Sequence, residues 1–183
     1  VGYLTSDRGD SELYTPYYAV DPILKYLPKD KIIWCPFDEE WSAFYNRLKE
    51  DGFNVVRSSL KEGQDFFEHE PDKWDLIVSN PPFSIKDKIL ERLYSFNKPF
   101  AVLLPLNSLQ GKTRYKYFKQ GIQILSFDAR ICYHNKDSMD SVVKGSPFAT
   151  AYFCKDILPK DLIVERLTTY ERPLLKENDL IGE

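Results

Sequence analysis

The stretch Asp75-Leu-Ile-Val-Ser-Asn-Pro-Pro-Phe83 constrains this chain more than any other. Trp74–Ser79 is an apolar run of strand length, and two prolines follow it almost at once. Proline fixes φ, donates no N–H and cannot continue a central strand. A buried strand stopped this abruptly reads as a parallel strand of an open α/β sheet, with the ligand crevice beyond its carboxyl end. The surrounding pattern agrees. Thr15 prepares a helix that opens at Pro16 and runs to Leu27, and Lys31–Phe37 reads as the first central strand. Asp38 caps a helix with Trp41, Phe44, Tyr45 and Leu48 at i, i+3, i+4 and i+7, and Asp51-Gly52 ends it. Phe53–Val56 is the second strand, and Gly63–Phe67 a loop or short strand. A helix over Ser84–Phe96 follows Trp74–Ser79, then a strand over Lys98–Leu106 and a helix near Lys112–Lys119. Gly121–Asp128 and Phe148–Cys154 form a hairpin-like pair around a long polar segment. Strands alternating with helices predict a three-layer, Rossmann-like α/β fold. Its sheet is expected to be mostly parallel, with Trp74–Ser79 beside Lys31–Pro36 and an antiparallel strand near the C-terminal end.

With 183 residues there is room for one domain, placed at 11–158, between a loose N-terminus (1–10) and a C-terminal arm (159–183) broken up by Pro159 and Pro173. The chain begins at Val1, so an upstream piece is expected to have been removed or left out. Hydrophobic residues at 43% and aromatics at 15% exclude a disordered chain. No apolar run approaches a membrane span, and nothing reads as a signal peptide. Cys35, Cys132 and Cys154 are odd in number and far apart, and with two histidines they build no metal cluster. A reduced, intracellular, cytoplasmic protein is expected.

The net charge of −3 argues against coating long nucleic acids, but a local patch survives it. Lys112, Arg114, Lys116 and Lys119 alternate with Tyr115, Tyr117 and Phe118. This mixture suits phosphates and stacking, and it equally describes a solvated helix face with an aromatic inner stripe. In the polar segment Ala129–Ser146, Arg130, His134 and Lys136 are either substrate contacts or part of a flexible hairpin crown, with His134 an exposed loop residue rather than a base.

Asn80 offers a side-chain oxygen, the carbonyls beside Pro81 and Pro82 lack local donors, and Phe83 adds an aromatic face. Together they make a socket for a planar group bearing an NH2, such as an adenine edge. An ordinary strand-ending turn is the competing reading.

At these residues the chain resembles the amino-methyltransferases that use S-adenosylmethionine (SAM), whose Asn/Asp-Pro-Pro-Phe/Tyr/Trp tetrad binds the nitrogen to be methylated. The order of elements over roughly 11–155 is similar to adenine-N6 methyltransferases in which the SAM site precedes the tetrad, small phage and prophage members in particular. The resemblance implies a class I methyltransferase fold and catalytic roles for Asn80, Pro81, Pro82 and Phe83. Tyr14, Thr15 and Pro16 would touch the methionine part of SAM, Asp65 and Phe66 its adenine, and Pro105 would close the pocket behind the tetrad. The family's Asp-Pro-x-x-Gly-x-Gly is Cys35-Pro-Phe-Asp-Glu-Glu-Trp41 here, with no glycine, so only Pro36, Phe37 and Asp38 hold equivalent places. Arg57-Ser58-Ser59 stands where an acidic residue would meet the ribose, leaving Ser58 as the candidate. The implied substrate is DNA or RNA. With no room for a separate recognition domain, target recognition would fall to a partner protein. Two alternatives remain: a degenerate, non-catalytic binding module, and a SAM enzyme acting on another amide or amine nitrogen.

Overall fold

Ile32–Cys35 (β1) and Leu76–Ser79 (β3) lie side by side in parallel, with Trp34 opposite Ile77. The structure is a computed structural model and describes residues 13–146 and 148–174. Asn54–Arg57 (β2), Phe100–Pro105 (β4), Gln123–Phe127 (β5), Thr150–Lys155 (β6) and Leu162–Glu165 (β7) complete one sheet in the order β2-β1-β3-β4-β6-β5-β7. Only β6 runs against its neighbours β4 and β5; the other pairings are parallel. The expected three-layer, Rossmann-like architecture is present, including the antiparallel strand near the C-terminal end.

Strand alternation assigns the layers. Ile33, Cys35, Val78 and Leu103 face one side, where Val20 and Ile23 of Tyr17–Leu24 (α1) and Phe44 and Leu48 of Ala43–Glu50 (α2) cover them. Trp34, Ile77, Val102 and Leu104 face the other, against Ile89, Leu90 and Leu93 of Lys86–Ser95 (α3). Tyr117 and Phe118 of Lys112–Phe118 (α4) extend that second layer. Each fully buried Leu, Ile or Phe contributes about 1.5–3 kcal/mol, and the central strands are buried on both faces.

Several boundaries differ from the sequence reading. α1 stops at Leu24 rather than Leu27; Pro28 disfavours the helical conformation at the residue before it, and Pro22 is accommodated within the helix. The chain continues in tighter turns, with Tyr26 N–H on Ile23 O and Leu27 N–H on Leu24 O. Ser42 occupies the N-cap position of α2 without a side-chain cap bond; the capping expected of Asp38 is made from farther back in the loop, its carboxyl accepting the N–H of Tyr45 in the first turn. Gly52, at φ 85°, ends α2 where Asp51-Gly52 was expected to. Residues 63–67 form turns, and a short 3₁₀ turn at Phe83–Ile85 precedes α3.

The C-terminal arm is a correction. Leu162–Glu165 forms the seventh strand, parallel to β5, because Leu-Ile-Val-Glu has strand-forming side chains and a half-buried Ile163. The chain then crosses to α1 and α2, where Arg172 stacks on Tyr17 (3.6 Å to the ring centroid) and pairs with Glu50. The polar segment before β6 is likewise no loose crown: Ile131, Tyr133 and Met139 are buried in the first core. His134, expected to be exposed, is 2% exposed and pairs with Tyr14 through an isolated antiparallel bridge. The N-terminal stretch 1–10 and the arm beyond 174 lie outside the described residues. Among the described residues no helix is long and apolar enough to cross a membrane.

Candidate active site

β1 has β2 on one side and β3 on the other, so the strand order reverses between β1 and β3. Ligands of open α/β sheets bind at such a reversal, outside the carboxyl ends of the strands. Those ends here are Cys35-Pro36-Phe37-Asp38 and Ser79-Asn80-Pro81-Pro82. Asn80 is fixed by a strand-distant contact: its Nδ2 donates to the Leu13 carbonyl at 3.2 Å. A carbonyl only accepts, so this bond sets the amide orientation and leaves the oxygen as the free end. Asn80 Oδ1 is buried and has no partner.

Asn80 shares a cavity with Leu13, Tyr14, Thr15, Phe37, Asp38, Trp41 and Leu174. Four of the sequence-predicted cofactor residues, Tyr14, Thr15, Phe37 and Asp38, therefore meet Asn80, the first residue of the tetrad, in one place. Asp38 is buried, and that burial pushes its carboxyl from the usual 3.8 up to about 7, against the opposing pull of the Tyr45 N–H. Burial also drives the neighbouring Cys35 thiol upward. Trp41 packs edge-on against Tyr14, with ring centroids 4.8 Å apart, and its indole N–H is a second buried polar atom without a partner. One orphan acceptor and one orphan donor thus border the same small space.

The remaining candidates are engaged elsewhere. Pro16 occupies the N-cap position of α1, its carbonyl accepting the Ala19 N–H, and Pro36 is buried beside the cavity without lining it. Ser58 is 0% exposed and its hydroxyl accepts the Trp34 indole N–H at 2.9 Å, which takes it from any ribose. Asp65 accepts the Phe67 N–H at 2.9 Å within its own turn. Phe66 is fully buried against Phe37 and Trp34, at 5.0 and 5.5 Å, and reaches the cavity only through Phe37. Pro105, expected behind the tetrad, is the last residue of β4 and is buried opposite Thr150.

The glycine-free loop explains the cavity's size. Asp38 N–H bonds Ser58 O and Ser58 N–H bonds Cys35 O, so the backbone keeps pairing with the β2 end. Trp41 and Leu174 fill what a glycine turn would leave open. About 40 Å³ remains, little more than one water, whereas small-molecule sites take about 300–1,000 Å³. The polar lining suits a cofactor such as SAM; the volume in this conformation does not admit one.

Phe83 lies outside this cavity and meets Phe148 edge-on, with centroids 5.7 Å apart. Phe148 directly precedes the β6 region and in sequence marks only the start of a strand. Trp41 marks only a helix face in sequence, and Leu174 falls in the expected arm. Their signals in sequence were apolar character alone.

No protein-family model matches the chain, and no curated protein is similar to it in sequence. Among solved structures it is similar to a dimethyladenosine transferase from Plasmodium falciparum, at TM-score 0.41 and 14% identity over 78% of this chain. It is also similar to a modification subunit of a putative type I restriction enzyme from Vibrio vulnificus YJ016, at TM-score 0.46 and 12% identity over 94% of this chain. The chain spans 61% and 51% of those two proteins.

Proposed function

We propose that this protein is a SAM-dependent methyltransferase acting on the exocyclic N6 of adenine in nucleic acid. The observation that carries the reading is the oriented, unpartnered Oδ1 of Asn80 at the switch point. The adenine amine is a poor nucleophile because its lone pair is conjugated into the ring. An acceptor held by Asn80, with the Pro81 carbonyl as the second, draws its two hydrogens into pyramidal geometry and frees the lone pair. Phe83 and Phe148 supply ring surface for the base, a contact worth about 1–3 kcal/mol per stacked base. SAM, when bound, supplies a methyl that is already electrophilic, so the residues mainly position and exclude water. Tyr14, Thr15, Phe37 and Asp38 would hold it, which requires Leu174 to leave the cavity. An unpaired adenine is easier to present than one that must be flipped from a duplex.

The filled cavity favours a second reading, a non-catalytic module that keeps the base socket without the cofactor. Thermal shift with SAM and S-adenosylhomocysteine separates the two. A ligand at 100 times its dissociation constant adds about 2.7 kcal/mol of stability. Tritiated-methyl transfer to single-stranded DNA, duplex DNA and RNA tests the chemistry. Neither stabilisation nor transfer would leave the binding module standing.

A further inference from the structure

Charge is spread unevenly over this fold. From Ser84 to Gln120, the stretch supplying α3, β4 and α4, eight lysines and arginines stand against two carboxylates, a net +6; the rest of the chain totals −9. Most cations of the opposite layer are neutralised in place, Arg47 by Asp21 and Asp51, Lys29 by Asp51 and Arg172 by Glu50, with Lys49 on the Tyr45 hydroxyl as the exception. In the α3–α4 layer Arg114 pairs with Asp87 at 2.7 Å, which ties the first turns of the two helices together. Arg92 and Lys98 donate to the carbonyls of Phe66 and Trp74. Among the described residues, Lys86, Lys88, Lys112, Lys116 and Lys119 have no carboxylate within ion-pair distance. Uncompensated like charges on one face repel, and a polyanion relieves that repulsion. Tyr115, 67% exposed, stands among them with the Lys119 ammonium 5.7 Å from its ring centroid. A large exposed ring within a basic field is a stacking surface.

Position links this face to the site. α3 begins three residues after Phe83, and α4 begins after the turn that leaves β4. Both helices therefore start at the strand rim that carries Asn80. We infer that the α3–α4 layer is the surface that holds the phosphate backbone of the nucleic acid whose base enters the Asn80–Phe83 socket. The inference rests on the nucleobase reading above and adds where the rest of the strand lies.

The test is fluorescence anisotropy with a labelled, adenine-containing single-stranded oligonucleotide across a salt series. Five phosphate contacts on a single strand give a log–log slope near −3.5, about a 100-fold loss of affinity between roughly 50 and 200 mM salt. The double substitution Lys112→Ala/Lys116→Ala should reduce the slope by about 1.4. Lys73→Ala/Lys160→Ala removes the same charge from exposed positions at the opposite rim and should leave it unchanged. Equal slopes in both variants, or wild-type binding without salt dependence, overturn the inference. Methyl transfer by wild type with an unaltered Lys112/Lys116 slope would keep the Asn80 reading and remove this surface; salt-dependent binding without transfer would do the reverse.

Discussion

Leu174→Ala is expected to weaken the folded protein and tighten its hold on cofactor at once. Leu174 is 3% exposed, lines the cavity with Asn80 and Trp41, and is anchored by its own N–H to the Met139 carbonyl at 2.7 Å. The backbone anchor survives the substitution, so only the side chain leaves. Burial of a leucine side chain stabilises the closed arrangement by about 1.5–3 kcal/mol. If closure and cofactor compete for one space, apparent affinity is scaled by the open fraction, and removing that preference raises it about 10- to 150-fold. The same loss lowers the melting temperature of the free protein by about 2–4 °C per kcal/mol. Isothermal calorimetry with S-adenosylhomocysteine, beside a melting curve without ligand, reads both. A lower melting temperature with unchanged or weaker affinity would refute the argument, for Leu174 would then be part of the binding wall.

Asn80→Ala should lower methyl transfer on the order of 10²–10³-fold, with a much smaller loss of calorimetric affinity for S-adenosylhomocysteine from the lost bond to the Leu13 carbonyl, since the acceptor acts mainly on the substrate amine. Phe148→Ala should raise the substrate KM about 5- to 150-fold through lost ring contact with the base, with a smaller change in kcat; steady-state kinetics on single-stranded DNA separate the two. For Asp38, the folded carboxyl lies above its ordinary value, so its favourable contribution is complete at acid pH and is lost as pH rises through about 7. Asp38→Asn keeps an acceptor for Tyr45 N–H and removes the ionisation. Urea unfolding should then show wild type losing on the order of 4 kcal/mol more than the variant between about pH 4 and 8, the other carboxylates being common to both.

The βαβ frame was legible because it depends on local pattern. Trp74–Ser79 and Lys31–Pro36 announce buried parallel strands, and the i, i+3, i+4 and i+7 spacing of Trp41 to Leu48 announces a helix. The tetrad could be placed at a strand end because two prolines permit little else. What stayed hidden depends on contacts between distant segments. Nothing near Ser58 indicates that Trp34 will claim its hydroxyl. Nothing near His134 predicts its bridge to Tyr14, since a polar neighbourhood reads as solvent until a partner is known. Around Leu162–Glu165 the prolines at 159 and 173 look like breakers, although an edge strand needs only one partner. The absence of glycine after β1 was visible at once; that Trp41 and Leu174 occupy the vacated room was not.

The ties that shape the cavity also bear on the order of assembly. Leu13 and Asn80 are 67 positions apart, Tyr18 clasps the Cys132 backbone across 114, and Leu174 returns from beyond the last strand. The adjacent strands β1, β2 and β3 close short loops and can pair early, whereas these clasps require both ends of the chain to arrive. On that ground the socket is expected to become native after the β1–β3 frame and to open before it. Amides around Leu13, Asn80 and Leu174 are expected to exchange hydrogen before those of the central sheet, which native-state hydrogen exchange would read. A protease is then expected to cut near this cavity wall while the sheet stays intact.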